Sequence, residues 1–443
     1  MGGSVARRAV ERRREPAVRL LLINAPTPGY TPQPYPPLQL GYLAAVLRAT
    51  GRHEVDILDL GIVRLGDDAI ARAMNRADAV GVYFVTMNWE EGLRLCAMAK
   101  RRGRISMAGG PHAGLIPEQT VASGALDLAF VGEAEETLVE VLDTIESGGS
   151  LLRVPGLVLA MPDGPRRTRA RTGKPDLRRL PWPARDLLPM AAYRARSDDS
   201  SLLASRGCPY PCSFCAIRVI SNATYRRRLP ADVVDEARHL VGGFGAGQLT
   251  FFDDIFTIDP RYTNALLDEM DRRPLGVPWS CGTRVDRVHP DLLARMRSAG
   301  CQRMFFGVES GSQRILNGIS MRTTVQQIRA AITATKAAGI TPILSVMVGL
   351  PDDDEESIRE TIAMTRELEA TQVWFQPFAP FPGTAIVHQI GDLLPADWRY
   401  LYRNLDLRTP VLPTRNLPLR AVRELFTEAM LSQADRGLVK PVR

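Results

Sequence analysis

The architecture of this chain can be worked out from one segment, Ser201-Leu-Leu-Ala-Ser-Arg-Gly-Cys-Pro-Tyr-Pro-Cys-Ser-Phe-Cys215. Residues 201–205 carry no charge and predict a strand, and the glycine and prolines that follow predict a loop. That loop holds Cys208, Cys212 and Cys215. Because folds built from parallel strands bind ligands at the strands' carboxyl ends, the segment predicts a metal site at such an end.

Strands and helices alternate after this segment. Apolar and amphipathic runs predict strands over 248–252, 279–283, 303–308, 341–348 and 372–377 and helices from about 232 and over 261–272, 290–299, 325–338 and 355–368. Six strand–helix repeats predict a partial parallel barrel, related to the (β/α)8 barrel, with its site at the carboxyl ends of the strands. After Pro380 we expect a short helical tail, chiefly over 419–434.

A second alternating unit precedes the segment. Strands are predicted over 18–24, 53–60, 79–85, 104–108 and 126–131, with helices over 38–49, 69–76, 90–101 and 133–145. This pattern predicts an α/β, doubly wound parallel sheet. No GxGxxG follows the first strand, so the usual dinucleotide fingerprint is missing. Between the units, the prolines of residues 150–195 predict an extended connector, with a hairpin across 156–168.

The composition excludes several classes of protein. Of the 443 residues, 45% are apolar and 24% are charged, which excludes disordered, collagen-like and coiled-coil chains. No apolar stretch reaches the ~18 residues of a membrane helix and no hydrophobic signal core begins the chain, so we expect a cytoplasmic protein without a membrane partner. The excess of 56 basic over 49 acidic residues is small, so charge does not predict a nucleic-acid partner.

The cysteine spacing favours an iron–sulfur cluster over zinc. Three of the six cysteines lie in the loop, whereas structural zinc normally takes four protein ligands and no histidine lies nearer than His239. An iron–sulfur cluster in which one iron has no protein ligand accounts better for three thiolates. Cys281 and Cys301 fall in or beside predicted strands and are interpreted as small buried residues.

At this point the sequence resembles the radical S-adenosylmethionine (SAM) superfamily, whose CxxxCxxC hallmark matches Cys208, Cys212 and Cys215. The resemblance implies a [4Fe–4S] cluster that binds SAM and releases a 5′-deoxyadenosyl radical. It also implies SAM contacts at successive strand ends: Phe214 in the loop, Asp253 and Asp254 in FFDDIF, Arg284 and Asp286 in TRVD, Glu309 and Ser310 in GVESGS, Gly349 in MVGLP, and Phe378. For either aspartate, a helix N-cap role stays open.

The first unit resembles the cobalamin-binding domain of the largest radical SAM subfamily. The matching stretches include Pro37-Leu-Gln-Leu-Gly-Tyr-Leu-Ala, Gly109-Gly-Pro-His-Ala and Val131-Gly-Glu-Ala-Glu-Glu-Thr-Leu. The resemblance implies cobalamin contacts at the strand ends, namely Asn24, Pro26, Thr86, Gly109, Gly110, Pro111, His112, Gly132 and Glu133. The chain lacks the DxHxxG motif that supplies a lower cobalt ligand in many corrinoid proteins, and His112 in a loop is more often a structural residue.

The resemblance implies a cobalamin-dependent radical SAM methyltransferase that methylates an unactivated carbon of a small molecule. The abundance of Arg and Ala suggests a natural-product pathway as the setting. One alternative keeps both cofactors for a rearrangement, ring contraction or cyclisation. An RNA-modifying methylthiotransferase would need a second cluster, yet only Cys96 precedes Cys208. A corrinoid sensor or carrier would leave the three cysteines unexplained.

The expected organisation combines these resemblances with the charge and proline patterns of the sequence. We expect a basic disordered tail (1–17), a Rossmann-like cobalamin-binding domain (18–149), a proline-rich connector (150–197), a radical SAM partial barrel (198–382) and a C-terminal helical extension (383–443). We also expect a monomer that takes single electrons from an external flavodoxin- or ferredoxin-type reductant.

Overall fold

The computed structural model describes residues 18–27, 35–197, 199–369, 372–395, 398–403, 405 and 408–434. The basic tail expected over 1–17 lies outside these residues. None of the helices in the described ranges combines the length and the apolar character that crossing a membrane requires.

Within the described residues, seven strands form the first sheet. They are β1 (Arg19–Asn24), β2 (Glu54–Asp59), β3 (Ala79–Tyr83), β4 (Ile105–Gly109), β5 (Leu128–Phe130), β6 (Leu157–Met161) and β7 (Gly164–Arg167). Their order is β2-β1-β3-β4-β5-β6-β7, and the pairs from β2 to β5 are parallel. The predicted doubly wound parallel sheet is therefore confirmed, and its order reverses between β1 and β3, where such sheets bind their ligands.

Helices cover both faces of this sheet. They are α1 (Leu38–Thr50), α2 (Asp67–Asn75), α3 (Trp89–Arg101), α4 (Pro111–Leu115), α5 (Pro117–Ala122) and α6 (Glu135–Glu146). Successive residues of a strand point to opposite faces. Accordingly, Leu20 and Leu22 of β1 pack in the apolar cluster that contains α1 and α6, whereas Leu21 and Ile23 pack in the cluster that contains α2 and α3. An uninterrupted apolar run is thus what a strand buried on both faces needs.

The hairpin predicted across 156–168 extends the first sheet. Strand β6 pairs antiparallel with β5, and β7 pairs antiparallel with β6. The sheet therefore runs on to Arg167, into residues that the sequence analysis placed in the connector. Periodicity does not reveal this because the antiparallel partner of β5 is chosen by tertiary packing.

Six parallel strands form the second sheet in the order β15-β14-β13-β12-β11-β8, again within the described residues. They are β8 (Asp199–Leu202), β11 (Gln248–Phe251), β12 (Trp279–Arg284), β13 (Cys301–Glu309), β14 (Thr341–Val348) and β15 (Gln372–Pro377). Each new strand adds beside the previous one, which confirms the predicted partial barrel. Cys281 and Cys301 are buried in its strands.

The helices of the second half complete the outer layer and the connector. They are α7 (Met190–Arg194), α8 (Ala216–Ile220), α9 (Pro230–Phe244), α10 (Pro260–Arg272), α11 (Pro290–Ser298), α12 (Gln313–Gly318), α13 (Val325–Ala337), α14 (Glu355–Glu367), α15 (Ala385–Gln389), α16 (Trp398–Arg403) and α17 (Leu419–Ala434). A separate two-stranded pair, β9 (Ser205–Arg206) and β10 (Arg226–Arg227), follows β8. Helix α17 matches the predicted tail helix residue for residue.

A group of buried ion pairs fixes the connector to the barrel. Glu236 of α9 pairs with Arg185 of the connector at 2.5 Å and with Arg228, and all three side chains are almost fully buried. Arg185 also donates to the backbone carbonyl of Ser201 at 2.8 Å, at the strand that leads to the cysteines. Arg228 also pairs with Asp232 at 2.6 Å, so the two buried cations are compensated by the Glu236 carboxylate between them and by a second carboxylate at Arg228.

We expect Glu236→Ala to lower the free energy of unfolding by about 3 to 5 kcal/mol, because it leaves the buried Arg185 without a carboxylate and Arg228 with Asp232 alone. Urea and thermal unfolding measure this loss. The neighbouring Asp235→Ala is the matched control, because Asp235 pairs with Arg273 at the surface, and its loss should be much smaller. Equal losses in the two variants would contradict a central role for the buried group.

Candidate active site

The three cysteines lie on a loop whose two ends are tied together. Strand β9 enters the loop and β10 leaves it, and the two pair antiparallel with Arg206 opposite Arg226. Inside the loop, the amide of Ser213 donates to the carbonyl of Ile319 at 3.0 Å, and the carbonyl of Ser213 accepts from the amide of Ile386 at 2.9 Å. The loop is therefore held at its ends and at its middle.

Gly207 lets the chain turn into this loop. Its φ is +94°, and a Cβ atom at this position would lie 1.9 Å from the carbonyl oxygen of Thr224. Only glycine fits such a conformation and such a close approach. The Gly207 amide donates to Asp254 at 2.6 Å, so this carboxylate, expected from the sequence to contact SAM, holds the start of the cysteine loop.

Asp253 is also engaged with the segment that precedes the loop. It accepts hydrogen bonds from the Ser205 hydroxyl and, at 3.0 Å, from the Ala204 amide. Burial raises the pKa of its carboxyl to about 6. The two aspartates of FFDDIF thus bind backbone and side-chain groups of residues 204–207, and neither caps α10, whose N-cap is Asp259.

Arg284 lies beside the second cysteine. Its Nη1 atom is 3.6 Å from Cys212 Sγ, its Nη2 donates to the carbonyl of Met321 at 2.8 Å, and its Nε donates to Asp286 at 2.8 Å. The guanidinium also stacks over the Tyr210 ring, 4.0 Å from the centroid. Met321 and Tyr210 were missed by the sequence analysis because their roles depend on contacts between distant segments.

Burial affects the three thiols of the loop in the same way. It raises the pKa of each thiol, that of Cys215 to about 12. A metal ion that binds the sulfur atoms offsets this effect because it stabilises the thiolate form, and the iron of a cluster does so. The residues present fit a cluster held by one loop at the carboxyl end of β8.

The remaining residues expected to contact SAM lie at the carboxyl ends of neighbouring strands. Glu309 ends β13 with φ of +65°, an unusual value outside glycine. Burial raises its pKa to about 8, although the nearby Arg284 opposes the shift. Ser310 lies within 3.2 Å of the Thr361 hydroxyl, which also accepts from the Gly311 amide. Gly349 and Phe378 follow β14 and β15, and Phe378 is buried.

A cavity of about 990 Å³ lies between the two units. Its wall includes Tyr83 at the end of β3 and residues 131–135 after β5, at the ligand edge of the first sheet. From the barrel come Ser201, Leu203, Arg206, Phe252 and residues of α8, which directly follows Cys215. One space therefore extends from the ligand edge of the first sheet to Arg206 and α8, which flank the cysteine loop, and none of the three cysteines is among its lining residues.

The structure brings part of the expected cobalamin set to this cavity. Gly110, Pro111, Gly132 and Glu133 line it, whereas Asn24, Pro26, Thr86, Gly109 and His112 are not among the lining residues. Asn24 is buried and donates to Asp59 at 2.8 Å, and Asp59 accepts from the Tyr193 hydroxyl at 2.5 Å.

His112 lies in an aromatic environment behind the cavity wall. Its ring stacks on Trp89 at 5.8 Å and meets Tyr402 edge-on at 5.8 Å, and its Nδ1 lies 3.2 Å from the Thr86 hydroxyl. Burial lowers the pKa of the imidazole to about 4. A neutral ring packed in this way fits the structural role that the sequence left open.

Glu133 is the charged centre of the contact between the units. Its carboxylate pairs with Arg226, with Arg206 at 3.3 Å and with Lys174 at 3.6 Å. Burial alone would raise the pKa of Glu133, but the Arg226 hydrogen bond and the three cations hold it below its usual value. Arg206 also pairs with Glu135 at 2.5 Å and stacks over the Tyr42 ring at 4.6 Å.

Two family models match the chain: the B12 binding domain over residues 29–142 and the Radical SAM superfamily over residues 202–365. An uncharacterized methyltransferase of Pyrococcus horikoshii is 28% identical over 408 residues, which are 90% of this chain and 87% of that protein. The anaerobic magnesium-protoporphyrin IX monomethyl ester cyclase of Rubrivivax gelatinosus is 28% identical over 378 residues, which are 81% of this chain and 67% of that protein.

A solved structure has the same arrangement of both units. It is the radical SAM methyltransferase TsrM from Kitasatospora setae with cobalamin and a [4Fe–4S] cluster bound, which matches 96% of this chain and 89% of that chain with a TM-score of 0.76 at 19% identity. The chain belongs to the radical SAM enzymes that carry a B12-binding domain. The chain is a member of this methyltransferase family, and its cofactors are a [4Fe–4S] cluster, SAM and cobalamin.

We expect Gly207→Ala to lower the iron and sulfide bound after anaerobic reconstitution several-fold, because the new Cβ would collide with the Thr224 carbonyl and displace the cysteine loop. Iron and sulfide analysis with the cluster's visible absorption measures the loss. Gly173→Ala is the control, because Gly173 has a similar φ of +90° but no atom within 4 Å of the new Cβ. Full cluster content in Gly207→Ala would show that the loop tolerates the shift.

The buried imidazole gives a pH dependence of stability. Because its folded pKa is about 4 and the unfolded value about 6.5, His112 favours unfolding as pH falls. The contribution of His112 alone should therefore make the free energy of unfolding about 2 kcal/mol lower at pH 5 than at pH 7.5. The free energy of unfolding of His112→Gln should depend less on pH than that of wild type. The control variant His388→Gln, at an exposed site, should keep the pH dependence of wild type.

Proposed function

We propose that this enzyme methylates an unactivated carbon of a small molecule. The observation that carries the proposal is the cavity that extends from the ligand edge of the first sheet to Arg206 and α8, the residues on either side of the cysteine loop. A methyl donor bound at one wall and a radical generated at the other can act on the same substrate only if that space is shared. This arrangement supports a reaction that uses both cofactors in one turnover.

The residues divide between the two cofactors. In this proposal Cys208, Cys212 and Cys215 hold the cluster, and Asp254 and Gly207 fix the loop that carries them. Residues at the strand ends, with Arg284 and Glu309 nearest the cysteines, bind SAM. Gly110, Gly132 and Glu133 line the corrinoid side of the cavity.

When bound, the cluster and SAM supply a 5′-deoxyadenosyl radical, and cobalamin supplies the methyl group. The side chains of this chain would bind the substrate and orient it. Apolar residues, including Leu203 and Ile217, line the barrel side of the cavity. A radical formed there abstracts hydrogen from a C–H group within reach, so the walls must hold the substrate carbon in place.

The names of relatives support a small-molecule substrate. One is the hopanoid C-3 methylase of Methylococcus capsulatus, and another is the bacteriochlorophyllide d C-12(1)-methyltransferase of Chlorobaculum tepidum. Both are named for methylation of a carbon in a small molecule. We extend that substrate class to this chain, together with a monomeric state and an external one-electron reductant of flavodoxin or ferredoxin type.

The cyclase relative supports a second candidate, a reaction without methyl transfer. The two candidates differ in how they use SAM. A methylase consumes SAM twice, giving 5′-deoxyadenosine from the radical branch and S-adenosylhomocysteine from the methyl branch. A cyclase or rearrangement enzyme gives 5′-deoxyadenosine alone.

We expect anaerobically reconstituted enzyme, given SAM, hydroxocobalamin and a low-potential reductant, to form both co-products. Liquid chromatography with mass spectrometry measures them, with methyl-labelled SAM reporting transfer of the label to cobalamin. Cys212→Ala should abolish 5′-deoxyadenosine, and Cys301→Ala, at a buried cysteine outside the loop, should retain it. Formation of 5′-deoxyadenosine with no S-adenosylhomocysteine would favour the second candidate.

A further inference from the structure

The inner face of the second sheet carries aromatic side chains that solvent can reach. Successive residues of a strand point to opposite faces of its sheet. One row of residues in register is buried in the apolar cluster that also contains residues of α10 and α11, namely Phe251, Cys281 and Met304. The next residues along the three chains, Phe252, Gly282 and Phe305, therefore face the inside of the partial barrel. Phe252 is 45% exposed.

These aromatic residues belong to two pairs of rings. Tyr35 of the first unit meets the Phe252 ring edge-on, with 4.6 Å between the centroids. The Phe305 ring lies 5.2 Å from the ring of Trp374 in β15, and Trp374 is 49% exposed. Exposed apolar side chains that lie together, rather than singly, are typical of a binding surface.

Gly282 of β12 separates the two pairs. Strand β12 lies between β11, which leads into Phe252, and β13, which carries Phe305. Because adjacent strands are about 4.8 Å apart, the backbones at Phe252 and Phe305 are about 10 Å apart. One planar ring can stack between two others in such a gap, since stacked rings have centroids about 4.5 to 7 Å apart.

The backbone does not require glycine at position 282. Its φ is not positive, and a Cβ atom there would lie 3.9 Å from the Asp253 carbonyl oxygen and 4.0 Å from Phe305 Cβ. In closed barrels of parallel strands, side chains at such inner positions fill the interior in layers. The absence of a side chain at Gly282 therefore keeps a gap open between the two aromatic pairs.

The aromatic pairs share their sheet face with the cysteine site. Trp374 pairs in register with Ser345, which pairs with Gly307, which pairs with Arg284. Arg284 is the residue whose Nη1 lies 3.6 Å from Cys212 Sγ. At the other side of the gap, Tyr35 and Phe252 line the 990 Å³ cavity between the units. A molecule in the gap would thus lie between that cavity and the cysteine loop.

The residues around the gap also indicate the charge of its ligand. Phe252, Gly282 and Phe305 are uncharged, so the group that enters between them is expected to be uncharged as well. Arg284 and Arg303 lie two residues away on the same face, one in each direction along the strands. Other parts of the ligand can therefore carry polar groups.

We propose that the gap at Gly282 binds a planar, uncharged ring of the substrate, with Phe252 and Phe305 on its two sides and Trp374 beside Phe305. This inference deepens the proposed function and rests on it for the reaction. It names the substrate class as molecules with an aromatic or conjugated ring system. A flat ring can contact both aromatic walls, whereas a saturated ring of the same carbon skeleton is thicker and offers no π-face.

The test uses 2-naphthol and its fully saturated counterpart, decahydro-2-naphthol. Both are added to the reconstituted full chain with hydroxocobalamin, with and without SAM, and saturation-transfer NMR titrations measure their affinities. We expect 2-naphthol to bind about 5-fold or more tightly than the saturated compound, as for two aromatic contacts. SAM should leave the binding of 2-naphthol unchanged.

Two variants alter the gap in different ways. Gly282→Leu should fill it and weaken 2-naphthol binding about 10-fold or more. Trp374→Leu keeps an apolar side chain but loses the ring, so binding should weaken about 2- to 10-fold. Gly66→Leu is the matched control, because Gly66 is exposed and has no atom within 4 Å of the new Cβ. It should bind 2-naphthol as wild type does.

Several results would overturn the proposal. One is wild type that binds the saturated compound as tightly as 2-naphthol, or that does not bind 2-naphthol. Another is wild-type affinity for 2-naphthol in both Gly282→Leu and Trp374→Leu. Displacement of 2-naphthol by SAM would also overturn it, because the adenine ring would then occupy the gap. A failure of the proposed function is distinguishable, since it appears as missing S-adenosylhomocysteine and leaves these affinities unaffected.

Discussion

The working arrangement of the molecule depends on one carboxylate, that of Glu133. Arg206 and Arg226 face each other across the β9–β10 pair at the base of the cysteine loop. Two like charges directly opposite in a strand pair repel each other. Glu133, from the ligand edge of the other sheet, pairs with both. The same ion pairs therefore stabilise the base of the loop and fix where the first unit sits against it.

This coupling explains why the cavity has its shape. The residues that follow β5 must reach the β9–β10 pair to place Glu133, which brings the glycine turns of the first sheet next to α8 and Arg206. Gly132 and Gly110 have positive φ, a conformation that glycine adopts readily, and a Cβ atom at Gly110 would lie 2.5 Å from the carbonyl oxygen of Phe84. The ion pairs of Glu133 thus fix where these glycine turns meet the barrel.

Much of the fold was predictable because it rests on local patterns. The strand over 341–348 and the helix over 419–434 appear with the predicted bounds, since uninterrupted apolar runs and amphipathic periodicity report burial directly. The spacing of the cysteines likewise indicates a metal cluster without knowledge of the fold. Strand pairs and hydrogen-bond partners are harder to predict from the sequence. That β6 joins β5, or that Asp59 accepts from Tyr193, depends on segments far apart in sequence.

The candidate site also contains features that the sequence predicts and features that it does not. The resemblance implies that Glu133 contacts cobalamin. In the structure its carboxylate pairs with Arg206 and Arg226 of the barrel, which no local sequence pattern predicts. Asp253 and Asp254 were expected to contact SAM, and both bind residues 204–207. Tyr42 lay inside a quoted motif, yet its buried, unpartnered hydroxyl is visible only in three dimensions.

The contact between His112 and Tyr402 has a consequence for how the enzyme is made. Tyr402 belongs to α16, near the end of the chain, and Arg403 beside it pairs with Glu90 of α3 at 2.7 Å. The first unit leaves the ribosome hundreds of residues before α16 does. During synthesis, the side of the first unit that carries His112 and Glu90 therefore stays uncovered until α16 has been made.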